Sequence, residues 1–424
     1  MNATVPSSSA KLSNLGSASP GSACTGATLL PGATHFHVIE EPQYAASGAG
    51  EHLYVEIEKE GFTTDVVADA LAKIHGKRGV DIGYAGRKDR HAITRQWFSI
   101  HFGDEAKLHN LTEALPTGGR VQVLTVTKHA NKIRLGHLAG NQFRLGLGGV
   151  ADPAALQVAL TALAQHGICN RFGAQRFGIG GANLRVARAL AVRDYEAAVS
   201  LLVDPHGVWQ WGQPLPTGFR TGPEGRVLGA VRKGANAPSA IRAAGDQLHK
   251  LLVSAAQSAV FNAVLDGRKA AGLLHTFRVG DIGCTSFGAA FPVTAEELTS
   301  TNARAVAGVH DAFTTGPLPG MNRLAPSPKV LAEEHAWAAA TEMDWSWFAK
   351  GGALEAPGER RPLLMCFRQA PVVSADVNPA PGPGTSSSTS TGSNVTWVTF
   401  SLASGGYATE VLNQVGVAIP SDRR

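Results

Sequence analysis

The stretch HLYVEIEKEGFTTDVVADALAKIHGKRGVDIGYAGRKDRHAITRQWFSIHF, residues 52–102, changes its hydrophobic period twice. In HLYVEIEKE, Leu53, Val55 and Ile57 alternate with polar or amphipathic neighbours, the period of a half-buried strand. Beyond it, Val66, Val67, Ala70, Leu71 and Ile74 share one face of a helix that Thr63 or Thr64 can cap. Gly76 and Gly79 stop that helix. Strand periodicity returns in ITRQWFSIHF (93–102) and RVQVLTVTKH (120–129). Helices and adjacent strands that intermix without a regular strand–helix–strand rhythm predict an α+β fold around a mostly antiparallel sheet.

Working outward, PAALQVALTALAQHG (153–167) and ANLRVARALAVRDYEAAVSLLV (182–203) read as helices. From about residue 196 to 358 the texture shifts toward Gly, Pro and Trp, with a long helical run from Ser239 to Gly272. Strand-like sequence resumes at Leu363. The pattern predicts a second domain, 196–358, inserted into a first one made of 34–195 plus 359–424. Residues 1–33, rich in Ser, Ala, Gly and Thr, carry too little apolar surface to offset the entropy of ordering and are expected to be disordered. VNPAPGPGTSSSTSTGSN (377–394) reads as a flexible low-complexity loop between two paired strands, RRPLLMCFRQAPVV and TWVTFSL. It lacks the Lys of a phosphate-binding loop, and no helix follows it.

At 424 residues the chain is long enough for two cores, and 44% hydrophobic content can fill them. No uncharged apolar run of about 18 residues occurs, so no membrane span is expected. MNATVPSSSAKLSN has no charged-then-apolar layout, which argues against secretion; with Lys11 the one charge before residue 34, a transit peptide has little support. A net charge of +5 is only mildly basic. Cys24, Cys169, Cys284 and Cys366 are scattered without a C-x-x-C pair, which fits a reducing cytoplasm.

Three stretches could carry chemistry. In GYAGRKDRHAITRQWF (83–98), Arg87, Lys88, Arg90 and His91 surround one acid, Asp89. Neighbouring cations hold a carboxylate ionised and attract phosphate. An anion within a cationic loop weakens RNA binding, so a chemical task for Asp89 is one reading; a surface turn pairing Asp89 with Arg87 or Arg90 is the other. In NRFGAQRFGIGGANL (170–184), Arg171 and Arg176 interleave with Phe172 and Phe177, the pairing needed to grip a splayed-out base, or else two core aromatics beside a glycine turn. KHANKIRLGHLAGNQFRLGL (128–147) offers Lys128, Lys132, Arg134 and Arg144 to phosphate, or as a solvated sheet edge. No pair of histidines has the spacing of a helical metal site, so no metal is expected. Tyr407, after two glycines in SLASGGYATEVL, would alone be read as core.

Together these motifs resemble the TruD family of tRNA pseudouridine synthases. FHVIEEPQYAASGAGEHLYVEIEKEGFTTDVVADALAK (36–73) resembles the family's opening segment, GYAGRKDRHAITRQWF its catalytic motif, NRFGAQRFGIGGANL its third motif and SGGYATEVL its C-terminal one. SAAQSAVFNAVLDGR (254–268) and TGPLPG (315–320) resemble parts of the family's inserted domain. The likeness implies a pseudouridine-synthase α+β domain with an inserted TruD-specific domain, acting on a tRNA uridine, uridine 13 of the D-arm, without metal or organic cofactor. It implies tRNA as partner and no obligatory protein partner. Asp89 takes the catalytic carboxylate's position; Phe36, Asn170, Phe172 and Tyr407 take those of substrate-contacting residues, with Glu40 as the acid of the F-x-V-x-E motif. Lys88, Arg90 and Arg176 are the local cations. Three departures stand out: Arg171 replaces a common Tyr, Tyr407 a usual Phe, and LLPGATHF (29–36) lacks the basic residue often found before the opening motif. Lys88 and Arg90 are then the candidates for pairing with Asp89. Rival readings are an RNA-binding protein without catalysis and a lyase or glycosidase-like enzyme, whose second carboxylate would be Glu40.

Overall fold

A computed structural model describes residues 26–216, 222–306, 308–321, 324–375 and 395–420. The first part of the chain runs β1 (Thr28–Leu29), β2 (Phe36–Pro42), β3 (His52–Glu60), α1 (Thr64–His75), β4 (Ile82–Tyr84), β5 (Ile93–His101), α2 (Leu111–Ala114), β6 (Arg120–His129), β7 (Leu138–Gly148), α3 (Pro153–His166) and β8 (Ile168–Cys169). A second unit follows with α4 (Ala182–Ala191), α5 (Tyr195–Val203), α6 (Gly222–Arg232), α7 (Ala237–Ala244), α8 (Asp246–Ala270), β9 (Ile282–Thr285), β10 (Ala290–Pro292), α9 (Leu298–Ala305), β11 (Ala312–Leu318), α10 (Pro328–Ala338) and β12 (Glu359–Pro362). The chain returns through β13 (Leu364–Met365), β14 (Phe367–Ala375), β15 (Thr396–Ala403) and α11 (Ala408–Gln414).

The main sheet has the order β14-β15-β7-β2-β5-β3-β6, with β1 added to β7 and β4 to β5. Of these neighbours β2 and β5 are parallel and the others antiparallel. The alternation in 52–60 aims Leu53, Val55 and Ile57 at α1, whose Val67, Ala70 and Leu71 close that core. The helix starts where Thr63 accepts a hydrogen bond from the Val66 amide and stops at Gly76, whose φ of 64° is left-handed. A second core lies between β7, β15, α3 and α11.

The inserted unit pairs a helical layer with a four-stranded antiparallel sheet, β10-β9-β11-β12. Its central helix, α8, is long and apolar enough to cross a bilayer, yet it is the core helix here, burying Leu252, Ala256, Val260 and Val264 among its neighbours. Its helical layer takes in residues before 196: Val186 and Ala187 of α4 share the core of α5 and α8. It also ends later, because β12 pairs with β11 through Pro362. The antiparallel pair β8–β13 forms the neck between the units.

Other expectations need correction. Residues 26–33, expected to be disordered, include β1, paired to β7, with Leu29 fully buried; residues 1–25 lie outside the described residues. The 182–203 helix divides at Arg193, whose φ is 62°, and Asp194 recaps the chain by accepting from the Ala197 amide. The 239–272 run divides at Gly245. RRPLLMCFRQAPVV serves three sheets through β12, β13 and β14, and β14 pairs antiparallel with β15; the 377–394 loop between them lies outside the described residues.

Candidate active site

The site is built on the turn between β4 and β5. Gly83 of β4 lets the segment before β7 pack closely, because a Cβ there would clash with the Ile133 carbonyl oxygen. The start of α1 then fastens the loop. Thr64 Oγ1 accepts from the Lys88 amide at 2.8 Å and donates to Gln96 Oε1 at 2.7 Å, and Gln96 Nε2 donates to the Gly86 carbonyl. Asp65 takes the Tyr84 hydroxyl at 2.7 Å and Arg87 at 3.2 Å.

Asp89 follows in this loop, and its Oδ1 accepts from the His91 amide at 2.9 Å. Asp89 is exposed and lines a pocket of about 270 Å³ with Phe36, Val38, Lys88, Asn141, Phe143 and Tyr407, among others. Phe36 and Val38 come from β2, Asn141 and Phe143 from β7, and Tyr407 from the turn before α11. Fold thus brings Asp89, Phe36, Lys88 and Tyr407 together from segments far apart in sequence. A larger concavity of about 720 Å³ lies on the far side of the loop, lined by Gly61, Arg90, His91 and Arg120. The Asp89 pocket is the better reaction site because it combines a carboxylate with facing aromatic walls.

The remaining expected residues stand around this pocket. Glu40 lies behind its wall, buried against Lys88 with 2.9 Å between Oε2 and Nζ; Lys88 also donates to Asn141 Oδ1 at 2.6 Å. Arg90 borders the other concavity and donates to His91 Nε2. Neither Lys88 nor Arg90 therefore pairs with Asp89, which corrects that expectation. Asn170 and Phe172 are buried behind Tyr407, with the Phe172 and Tyr407 rings edge to face at 6.2 Å. Asn170 Nδ2 donates to the Pro362 carbonyl, and its Oδ1 accepts from Arg361. Arg176 donates to the Tyr407 hydroxyl at 2.8 Å and to Ser254 Oγ at 3.0 Å. Arg171 pairs with Asp266 of α8.

Sequence reading missed Asn141, Phe143, Gln175 and Arg361. Arg361 lies 4.3 Å above the Phe172 ring as well as holding Asn170, and burial draws its pKa down. Of the basic 128–147 run, Lys128 and Arg134 are exposed, while Arg144 stacks 4.0 Å over Trp397. Cross-strand register also gathers Glu51, His52 and His101 at the opposite end of β3 from Asp89. Their Glu–His separations are 3.7 and 3.8 Å, so the three side chains could offer ligand atoms to a metal ion.

The profile of the family described as tRNA pseudouridine synthase D (TruD) matches residues 20–207 and 213–415. A curated relative from Geobacter metallireducens, named tRNA pseudouridine synthase D, is 34% identical over 92% of this chain and 95% of its own length. One of the same name from Anaeromyxobacter is 33% identical, covering 93% of each. A crystal structure from Methanosarcina mazei, described as a tRNA pseudouridine synthase D, shares the fold, with a TM-score of 0.67 at 23% identity over 92% of this chain and 94% of that one. A profile match across both units, in the order that places Phe36, Asp89 and Tyr407 around one pocket, makes this chain a member of the TruD family of tRNA pseudouridine synthases.

Proposed function

We propose that this chain isomerises uridine 13 in the D-arm of tRNA to pseudouridine, with Asp89 as the catalytic carboxylate and no cofactor. The observation that carries the reading is that Asp89 lines one pocket together with Phe36, Phe143 and Tyr407. The reaction breaks the N1–C1′ bond and joins C5 to C1′; the C5 proton is lost, N1 gains one, and the composition of the nucleotide is unchanged. An ionised carboxylate can begin it by attacking C1′ or by removing the C2′ proton. The freed uracil must then turn without escaping. Phe36 and Tyr407 supply flat surfaces for this, and Asn141 a polar edge.

The uridine reaches the pocket only by leaving its stack, at a cost of about a few kcal/mol, which phosphate contacts to exposed cations such as Lys128 and Arg134 offset. A two-carboxylate glycosidase-like reaction has less support. Glu40, the candidate second acid, is locked behind the wall by Lys88. The test is pseudouridine mapping on tRNA incubated with wild type and Asp89→Asn. Modification at position 13 with wild type, and none with the variant at RNA affinity within a few-fold, supports the reading. Turnover near wild type in Asp89→Asn overturns it.

A further inference from the structure

Beyond Val38 the same face of β2 leads from the reaction pocket to a second cavity. Strand side chains alternate, so Phe36, Val38 and Glu40 share one face at intervals of about 7 Å. Phe36 and Val38 line the Asp89 pocket, whereas Glu40 lines a separate cavity of about 230 Å³. Between the two stands the Lys88–Glu40 ion pair, 2.9 Å across, with Lys88 lining the first and Glu40 the second.

The second cavity is aromatic. Tyr44, Tyr54 of β3, Trp97 of β5, Ile133 and His137 line it. Tyr54 is buried, donates its hydroxyl to the Asn131 carbonyl at 2.7 Å, and lies 6.4 Å from Trp97 between ring centres. Tyr44 stacks on His129 at 5.2 Å, and its hydroxyl is hydrogen-bonded to His137 Nδ1 at 3.2 Å. Held this way, the Tyr44 ring is still 37% exposed, a flat surface that the fold itself does not cover. Tyr44 and His137 also border an adjoining, more open concavity of about 370 Å³ that reaches Lys132 and Arg134. Lys132 is tied to the Val80 carbonyl, but the Arg134 side chain is exposed and unpaired among the described residues.

Flat rings for stacking with a cation at the rim are what a splayed-out nucleobase and its phosphate require. An apolar peptide side chain would use the rings and leave the cation idle. We propose that this cavity is a second nucleobase site. It takes a base of the same tRNA, one or two nucleotides from the uridine that enters the Asp89 pocket. The closeness of the two cavities along β2 sets that spacing. The proposal rests on the chain acting on a tRNA uridine at Asp89. Stacking on Tyr44 offsets the cost of unstacking the neighbouring base and steadies the backbone beside the target. Because rings rather than polar edges form the walls, the site tolerates different bases.

The experiment moves a single abasic nucleotide through the D-arm of a tRNA transcript and measures Kd and turnover. The proteins are the full chain, Tyr44→Ala, Tyr44→Phe and Asp89→Asn, each checked by thermal melting. Tyr44→Ala should bind intact tRNA about tenfold more weakly, and Tyr44→Phe, which keeps the ring, less than about threefold. One abasic position beside the target should weaken wild type by about tenfold. The same transcript should cost Tyr44→Ala less than about twofold more, because both changes remove one contact. Losses that add at every position, or a folded Tyr44→Ala that binds within about twofold of wild type, overturn the proposal. AMP and UMP are titrated alongside. Tyr44-dependent binding of either, with no coupled abasic position, assigns the cavity to a free nucleotide and overturns the tRNA reading of it. Any of these overturning results with an inactive Asp89→Asn removes only the second site. An active Asp89→Asn removes the reading of the reaction pocket, and this proposal with it.

Discussion

The guanidinium of Arg176 donates to the phenolic oxygen of Tyr407 across 2.8 Å, tying the 174–177 turn to the turn that opens α11. Tyr407 is therefore an aromatic wall held in place by its hydroxyl. Tyr407→Phe keeps the ring and loses the tie, and a charge-assisted hydrogen bond of about 1.5–3 kcal/mol sets the scale. We expect kcat to drop about tenfold with little change in KM, and Tyr407→Ala to lose far more. Steady-state kinetics on a tRNA transcript checks both.

Arg361 joins Asn170 Oδ1, the Gly405 carbonyl and the Phe172 face. Arg361→Leu leaves the Asn170 amide oxygen without its donor and Phe172 without its cation. Unfolding should become easier by about 2–4 kcal/mol, in line with losing a hydrogen-bonded buried charge. Arg361→Lys should not restore it, since one ammonium cannot reproduce the planar fork. Denaturant titration decides.

Lys88 and Glu40 form a buried pair, 8% and 4% exposed. Lys88→Met strands the Glu40 carboxylate and should cost about 3–5 kcal/mol. The Lys88→Met, Glu40→Leu double variant should recover a good part of that loss. A double-mutant cycle by thermal melting gives the coupling, and additive losses would contradict it.

Stability should depend on pH through Lys59. Burial draws its folded pKa to about 8, below the ordinary lysine value of 10.5, so the unfolded chain holds more protons between these values. Wild type is penalised below pH 8 and gains stability as pH rises from 8 toward 10.5. Against Lys59→Met, the difference should change by roughly 2–4 kcal/mol across that window, at about 1.36 kcal/mol per pKa unit. Melts at several pH values test the sign.

Binding of tRNA should weaken about a hundredfold between 50 and 200 mM salt, as about four phosphate contacts would give. Replacing exposed Lys128 and Arg134 with Ala should flatten that salt slope, by about one unit for each. Filter binding across salt concentrations measures it.

Much of the sheet was legible because its signals are local. β3, α1, β5 and β6 each carry a period and, for α1, a cap and a stop, and they form where the periods place them. Asp89, Phe36 and Tyr407 were legible through their motifs. What was hidden depends on contacts between distant segments. Lys59 reads as a strand's polar end, and only the overlying loop makes it a buried charge. Arg361 stands beside Arg360, which is committed to Glu334 at 2.6 Å, and nothing in the sequence tells the two arginines apart. The break at Arg193 was missed because residues 182–203 keep an apolar face on both sides of it.

The neck has a mechanical meaning. Asn170 directly follows Cys169 of β8, and Arg361 lies three residues before Leu364 of β13. The Asn170 amide donates to the Leu363 carbonyl at 2.9 Å, which knots the crossing at that point. The strand pair that joins the two units therefore also fixes the Asn170–Arg361 pair beneath Tyr407.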